Sequence, residues 1–404
     1  MAAPANLARA LDVLIPALDI VEGRVDSGAP PAWSESRGFS EFLLSLSDAD
    51  LARCEAEGLA ARVASLPDAP PALVDLARAT ADAALVPSLA ASPLPPPAER
   101  LRSVGQRKRA QLEALLGAVA PLAARANRIV DVGAGRGHFT RLAADLFDVE
   151  ALGLEREPDR VSAAETLARG TRARFVTFDV FKVDLALSPG DLPVGLHACG
   201  ELGDRMVSAA ALAPCDLVLV SCCLQKIGAP AREALSRSAG SRGLVLPREA
   251  LGLTNLTARP VGVEASLGEM LAMRERRHAL LRLLRGRGLD LHPGEEMRGI
   301  NRRRARAGFG DLAARALALR GLAPATPAEI REHEAAARIE FARMRRLDLP
   351  RSMLARLAEV AVVLDRAAAL EEQGHEVEVA TAFDPEVTPR NLLILARAPG
   401  AALR

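Results

Sequence analysis

Apolar positions recur at helical spacing through Leu7–Ile20 and again through Asp50–Val63. Ser47 stands as an N-cap before the acidic first turn of the second stretch. Residues 1–86 therefore read as a small helical unit. Prolines from Pro87 to Pro97 cannot continue a helix, so residues 87–100 read as a linker. From Leu101 the pattern changes. Short apolar runs at Arg128–Val132, Glu150–Glu155, Arg174–Asp179, Pro193–His197 and Asp216–Ser221 alternate with helical stretches, which predicts right-handed crossovers and a parallel sheet. Between Gly228 and Gln373 the strand signal fades and helices dominate. One of them opens on Thr326-Pro327-Ala328-Glu329, a capping residue, a first-turn proline and a glutamate at the third helical position. Two apolar runs close the chain, Glu376–Phe383 and Asn391–Ala396, separated by turn residues and read as a hairpin. The predicted class is α/β: a core at 101–227, a helical insertion at 228–373, and the last two strands of the same sheet within 374–404.

Such a sheet is Rossmann-like, mostly parallel with an antiparallel C-terminal hairpin, and its 404 residues suffice for two or three domains. Net charge adds a contrast that the near-zero total of +1 hides. Residues 1–100 carry 7 basic and 14 acidic side chains, whereas residues 271–310 carry eleven arginines and four acids. The whole chain is thus no polycation, and with 3% aromatics it offers no base-stacking platform. Only Lys108, Lys182 and Lys226 are lysines. Five cysteines, four of them within residues 199–223, argue against a disulfide framework and for a reduced, cytoplasmic setting. No apolar run is long enough to span a membrane, and Asp12 and Asp19 interrupt any secretory pattern at the N-terminus.

Chemistry concentrates at the predicted strand ends. Asp131-Val132-Gly133-Ala134-Gly135-Arg136-Gly137-His138 joins a strand to a helix through three glycines, so the backbone can approach a nucleotide closely. The spacing differs from the Gly-x-Gly-x-x-Gly of dinucleotide sites, and Asp131 before the turn suits a cationic amino group. Together they favour S-adenosylmethionine as cofactor, bound by Asp131, Gly133, Gly135 and Gly137. Glu155, ending the second strand, suits the ribose hydroxyls, with Glu157 as its rival. Asp179 ends the third and suits an adenine amine, or else merely caps the turn. Two further blocks, Gly195-Leu196-His197-Ala198-Cys199-Gly200-Glu201-Leu202 and Ser221-Cys222-Cys223-Leu224-Gln225-Lys226, should face the transferable methyl.

These three blocks together resemble one branch of the class I S-adenosylmethionine-dependent methyltransferases. That branch includes the tRNA ribose 2′-O-methyltransferases and the proteins named for a ribosomal RNA adenine dimethylase domain. Thr388-Pro389-Arg390-Asn391-Leu392 and the basic segment around Lys108 are similar to segments of the same branch. Leu224 and Arg136 depart from its pattern, standing where it has an aromatic and a lysine. The resemblance implies RNA as substrate, and it assigns Asp131, Gly133, Gly135, Gly137, Glu155 and Asp179 to the cofactor. Chemistry offers roles for the rest. His197 can serve as general base or sit as a buried imidazole; Lys226 can anchor a phosphate or a developing alkoxide, or remain a surface charge.

The cysteines admit three readings: Cys222 or Cys223 as nucleophile, a zinc set of His197, Cys199, Cys222 and Cys223, or small buried thiols. The spacing is unlike a zinc finger, so no metal is assigned, and His197, Cys199, Cys222 and Lys226 stand as the catalytic candidates. Lys108, Arg302, Arg303 and Arg304 stand as substrate contacts, unless the acidic N-terminal unit neutralises the arginine cluster. Two other functions stay open. One is methylation of a protein or small molecule; the other is a non-catalytic binding module on the same scaffold. Oligomeric state is not readable from the sequence.

Overall fold

A computed structural model describes residues 3–101, 104–253, 267–301, 305–385 and 387–400. Arg302, Arg303 and Arg304 lie outside the described residues. The strands are β1 (Arg128–Val132), β2 (Glu150–Glu155), β3 (Ala173–Thr177), β4 (Asp191–Ala198), β5 (Leu217–Ser221), β6 (Ala231–Glu233), β7 (Val245–Pro247), β8 (Glu376–Thr381) and β9 (Leu392–Arg397). Seven of them form one sheet in the order β3-β2-β1-β4-β5-β9-β8. Strands β1 to β5 are mutually parallel, and β9 runs antiparallel between β5 and β8. This is the expected Rossmann-like α/β architecture. Every residue of β5 is buried, as a Leu-Val-Leu-Val run in a central strand requires, whereas β3 at the edge buries alternate residues only. Asp131 pairs with Gly153 on one side and Val194 on the other, which brings the carboxyl ends of β1, β2 and β4 level.

Two compact units divide the chain, and they do not follow its order. One comprises Met1–Leu18, Ala79–Ala258 and Leu354–Arg404; the other comprises Asp19–Arg78 and Arg259–Met353. The first helix, Ala3–Leu14, therefore belongs with the sheet rather than with the helices that follow it. Arg242 fastens it there by bonding the Ala8 carbonyl and the Asp12 carboxylate. The proline stretch expected as a linker is tied down as well. Thr381 of β8 donates to the Pro87 carbonyl at 2.8 Å and accepts from Leu89 at 3.0 Å, and Leu94 donates to the Glu113 carbonyl at 2.9 Å. Proline removes ladder donors but leaves carbonyls, so such a segment can line an edge strand. A small β6–β7 hairpin lies in a stretch read as helical; three residues per strand give too little periodicity to detect.

The second unit is helical. Leu280, Leu284, Phe309, Leu312 and Leu317 form its core, with Ala337 of the helix Pro327–Leu347. Thr326 and Glu329 close the capping box that begins that helix. Its arginines meet acids of the same unit: Arg277 with Glu296, Arg287 with Glu329, Arg345 with Glu55 and Arg346 with Asp48.

Candidate cofactor and acceptor site

Strand β1 delivers the chain into the glycine turn, and Gly133, Gly135 and Gly137 all have positive φ (81°, 60° and 69°). At Gly137 a side chain is excluded twice over, because a Cβ there would sit 2.2 Å from the Phe175 ring. Around Gly135 there is open space instead, so its requirement is conformational. The helix His138–Phe147 then starts directly at the turn. Asp131 ends up 3% exposed, with Thr140 donating to its Oδ2 at 2.6 Å. Burial raises its carboxyl to about 6, although Thr140 and the nearby Lys108 ammonium pull the other way. Lys108 is in turn lowered by burial, with Asp131 opposing.

Glu155 lies at the matching end of β2. One carboxylate oxygen accepts from Gly135 N–H at 3.0 Å and the other from Glu157 N–H at 3.1 Å, with the Arg160 guanidinium 3.8 Å away. Its rival Glu157 contributes only backbone to this arrangement. Lys108, Asp131, residues 133–136 of the glycine turn, His138, Phe139, Arg160 and Leu196 line a cavity of about 440 Å³, within the range of small-molecule ligand sites. Asp179 falls two residues beyond β3, where its Oδ1 accepts from Phe181 N–H at 3.0 Å and caps its own turn; neither it nor Glu155 is among the cavity's lining residues. Lys108, expected at the substrate, faces the cofactor cavity.

At the end of β4 the ladder with β5 slips by one residue between Leu196 and Ala198. His197 occupies that slip with φ 67°, a strained value for a side chain with a Cβ. The bulge turns the His197 carbonyl towards two thiols, Cys199 Sγ and Cys222 Sγ, each at 3.2 Å. Those two sulfurs are 2.7 Å apart, and Cys223 Sγ joins them in a group spanning no more than 4.8 Å. The His197 ring does not join. Its Nε2 meets Gln111 Oε1 at 3.2 Å, and the tautomer with the proton on Nε2 donates to that oxygen and keeps its lone pair on Nδ1. Burial first, and then Lys108, Arg390 and Arg107, hold its pKa down at about 4. The imidazole is therefore neutral at pH 7. Hydrogen bonds from Cys199 and Cys222, with the Arg390 guanidinium against Cys223 Sγ, lower the Cys223 thiol. Cys222 is raised by its thiol neighbours and by burial.

Lys226 is exposed, and what the fold uses is its carbonyl, which accepts from Glu201 N–H at 3.0 Å. Gly200 is constrained by the same carbonyl, since a Cβ at its φ of 50° would lie 2.2 Å from that oxygen. Three residues of this site escaped the sequence. Gln111 sits in an apolar helix, Arg366 in another, and Arg390 carried no role although its segment was noted. Arg366 is fully buried and bonds Asp204 Oδ1 (2.8 Å), Ser221 Oγ (2.8 Å) and the Gly200 carbonyl (2.6 Å). It thereby ties the ends of β4 and β5 together.

Residues 107–230 match a family model described as a methyltransferase domain. A glutathione S-transferase C-terminal domain-containing protein homolog of Drosophila pseudoobscura pseudoobscura is 30% identical over 128 residues, 31% of this chain. The match spans about a fifth (21%) of that relative's length. Among solved structures, magnesium protoporphyrin IX methyltransferase from Synechocystis PCC 6803, with bound SAH, is 21% identical. It aligns over 29% of this chain and 55% of its own, with a TM-score of 0.23. An amino pentose methyltransferase from Micromonospora echinaspora is 26% identical over 31% of this chain and 54% of its own, with a TM-score of 0.23.

Proposed function

With residues 107–230 a methyltransferase domain, of a class whose methyl donor is S-adenosylmethionine, we propose that this chain methylates RNA. The residues present fit that donor. The buried Asp131 carboxylate suits its ammonium, the oxygens of Glu155 have acceptor capacity left for ribose hydroxyls, and the open space over Gly135 admits a nucleoside. When bound, the sulfonium supplies a methyl already electrophilic, so the chain's own work is to position the acceptor and manage its proton.

The observation that carries the RNA reading is the group of cations near the acceptor end. These cations are Arg107, Arg390 and Lys226: the first two, with Lys108 on the cofactor side, act on His197, and Lys226 is exposed at the end of the neighbouring block. Such a mouth favours a polyanion. An incoming phosphate offsets those cations, so His197 becomes a better base as substrate arrives, with Nδ1 free to take a hydroxyl proton. Of the 271–310 arginines, Arg277 and Arg287 are paired with acids, and Arg302, Arg303 and Arg304 remain proposed RNA contacts beside these cations. Tritiated S-adenosylmethionine incubated with total RNA and with total protein tests the acceptor, and label is expected in RNA. Label in protein with RNA unlabelled would reject the reading. Three phosphate contacts further predict roughly 20- to 40-fold weaker RNA binding between 50 and 200 mM salt. Filter binding across that range would show no such slope if the cations do not meet phosphate.

A further inference from the structure

We propose that Cys199, Cys222 and Cys223 form a three-thiolate site for a zinc-class divalent cation, with the fourth coordination position left for water or an incoming ligand. The sequence spacing argued against metal, but spacing is a poor guide when two adjacent parallel strands bring their ends together. Cys199 follows β4 and Cys222 and Cys223 follow β5, and their three sulfurs lie within 4.8 Å of one another.

A tetrahedral zinc–thiolate set, with bonds of about 2.3 Å, places its sulfurs roughly 3.8 Å apart. The Cys199–Cys222 pair, at 2.7 Å, has to part by about 1 Å, and the other separations are no more than 4.8 Å. An all-sulfur set selects thiophilic ions over magnesium or calcium. Charge also closes: three thiolates and a dication leave one negative charge, beside which lies the Arg390 guanidinium, already directed at Cys223 Sγ. Cys199 and Cys223 are only half-buried, which leaves an entry path. His197 is not part of the group whose ligand atoms lie within 4.8 Å of one another; three protein ligands and one open position is the pattern of catalytic rather than structural zinc. The open position lies at the carboxyl ends of the central strands, where α/β sheets hold ligands. Metal binding itself does not depend on the RNA reading or on methyl transfer.

Cobalt(II) is the probe. Titrated into the reduced full-length chain, it should give one equivalent of tetrahedral visible bands with near-ultraviolet sulfur charge transfer, and zinc should abolish both. Cys199→Ser, Cys222→Ser and Cys223→Ser should each weaken cobalt binding by at least about 100-fold, while Cys54→Ser and Cys215→Ser leave it unchanged. Circular dichroism verifies that each variant is folded, and Cys223→Ser, at the least buried turn position, keeps the test available should Cys222→Ser unfold. Absence of charge-transfer bands in the folded wild type would overturn the proposal. So would bands that survive all three substitutions, or a Cys199–Cys222 disulfide recovered from reducing cells in place of metal.

Discussion

Asp131→Ala is expected to weaken S-adenosylmethionine binding about 100-fold while leaving the chain folded. The carboxylate is 3% exposed, so its partner is met in a medium that screens poorly, and truncating one member of a buried charged pair removes 2–5 kcal/mol. Titration calorimetry at pH 7.5 measures this directly; undiminished binding would remove Asp131 from the site. The pH profile adds a sharper signature. Burial raises the carboxyl to about 6, so the folded protein holds a proton on Asp131 that the unfolded chain has already lost between about pH 4 and 6. Asp131 therefore favours folding most at low pH, and that contribution declines as pH rises through 6. Cofactor affinity runs the opposite way, because the ammonium needs the ionised form. Affinity should rise up to about tenfold per unit below pH 6 and level off above it, and the slope should vanish in Asp131→Asn.

Arg366→Met should be the most destabilising substitution at the strand ends. Arg366 and Asp365 are 0% exposed, Arg232 is 5% exposed, and Asp204 completes a balanced set of two cations and two anions. Burial alone would raise Asp204, but Arg366 and Arg232 hold its carboxyl below the ordinary range. Without Arg366 a negative charge stays buried and unmatched, and the Gly200 carbonyl and Ser221 hydroxyl lose their partner. Breaking such a set costs about 3–5 kcal/mol, or roughly a 10 °C fall in melting temperature. Adding Asp204→Asn rebalances the cluster around Arg232 and Asp365, so the double variant should melt above the sum of its parts. Strictly additive losses in calorimetric melting would show that the four charges do not act together.

The strands and the glycine turn were legible because each is a local pattern: five or six apolar residues, then glycines at fixed spacing before a helix. Thr326 announced its helix for the same reason. What stayed hidden depends on distance in sequence. Gln111 and Arg366 sit among apolar helical neighbours, and only the approach of β4 and β5 gives them partners 86 and 166 residues away. The three thiols converge because a bulge at His197 redirects the chain, and a bulge has no signature in the Leu-His-Ala pattern around it.

The place of β9 has a consequence for biosynthesis. It lies between β5 and β8, so the outer edge of β5, a wholly apolar strand ending at Ser221, has no neighbour until residues 392–397 are made. At ribosomal speeds of about 5–20 residues per second, that edge waits roughly 10 to 35 s after β5 is translated. During that interval the nascent chain presents an unpaired hydrophobic ladder, the kind of surface to which chaperones bind and from which misassembly starts.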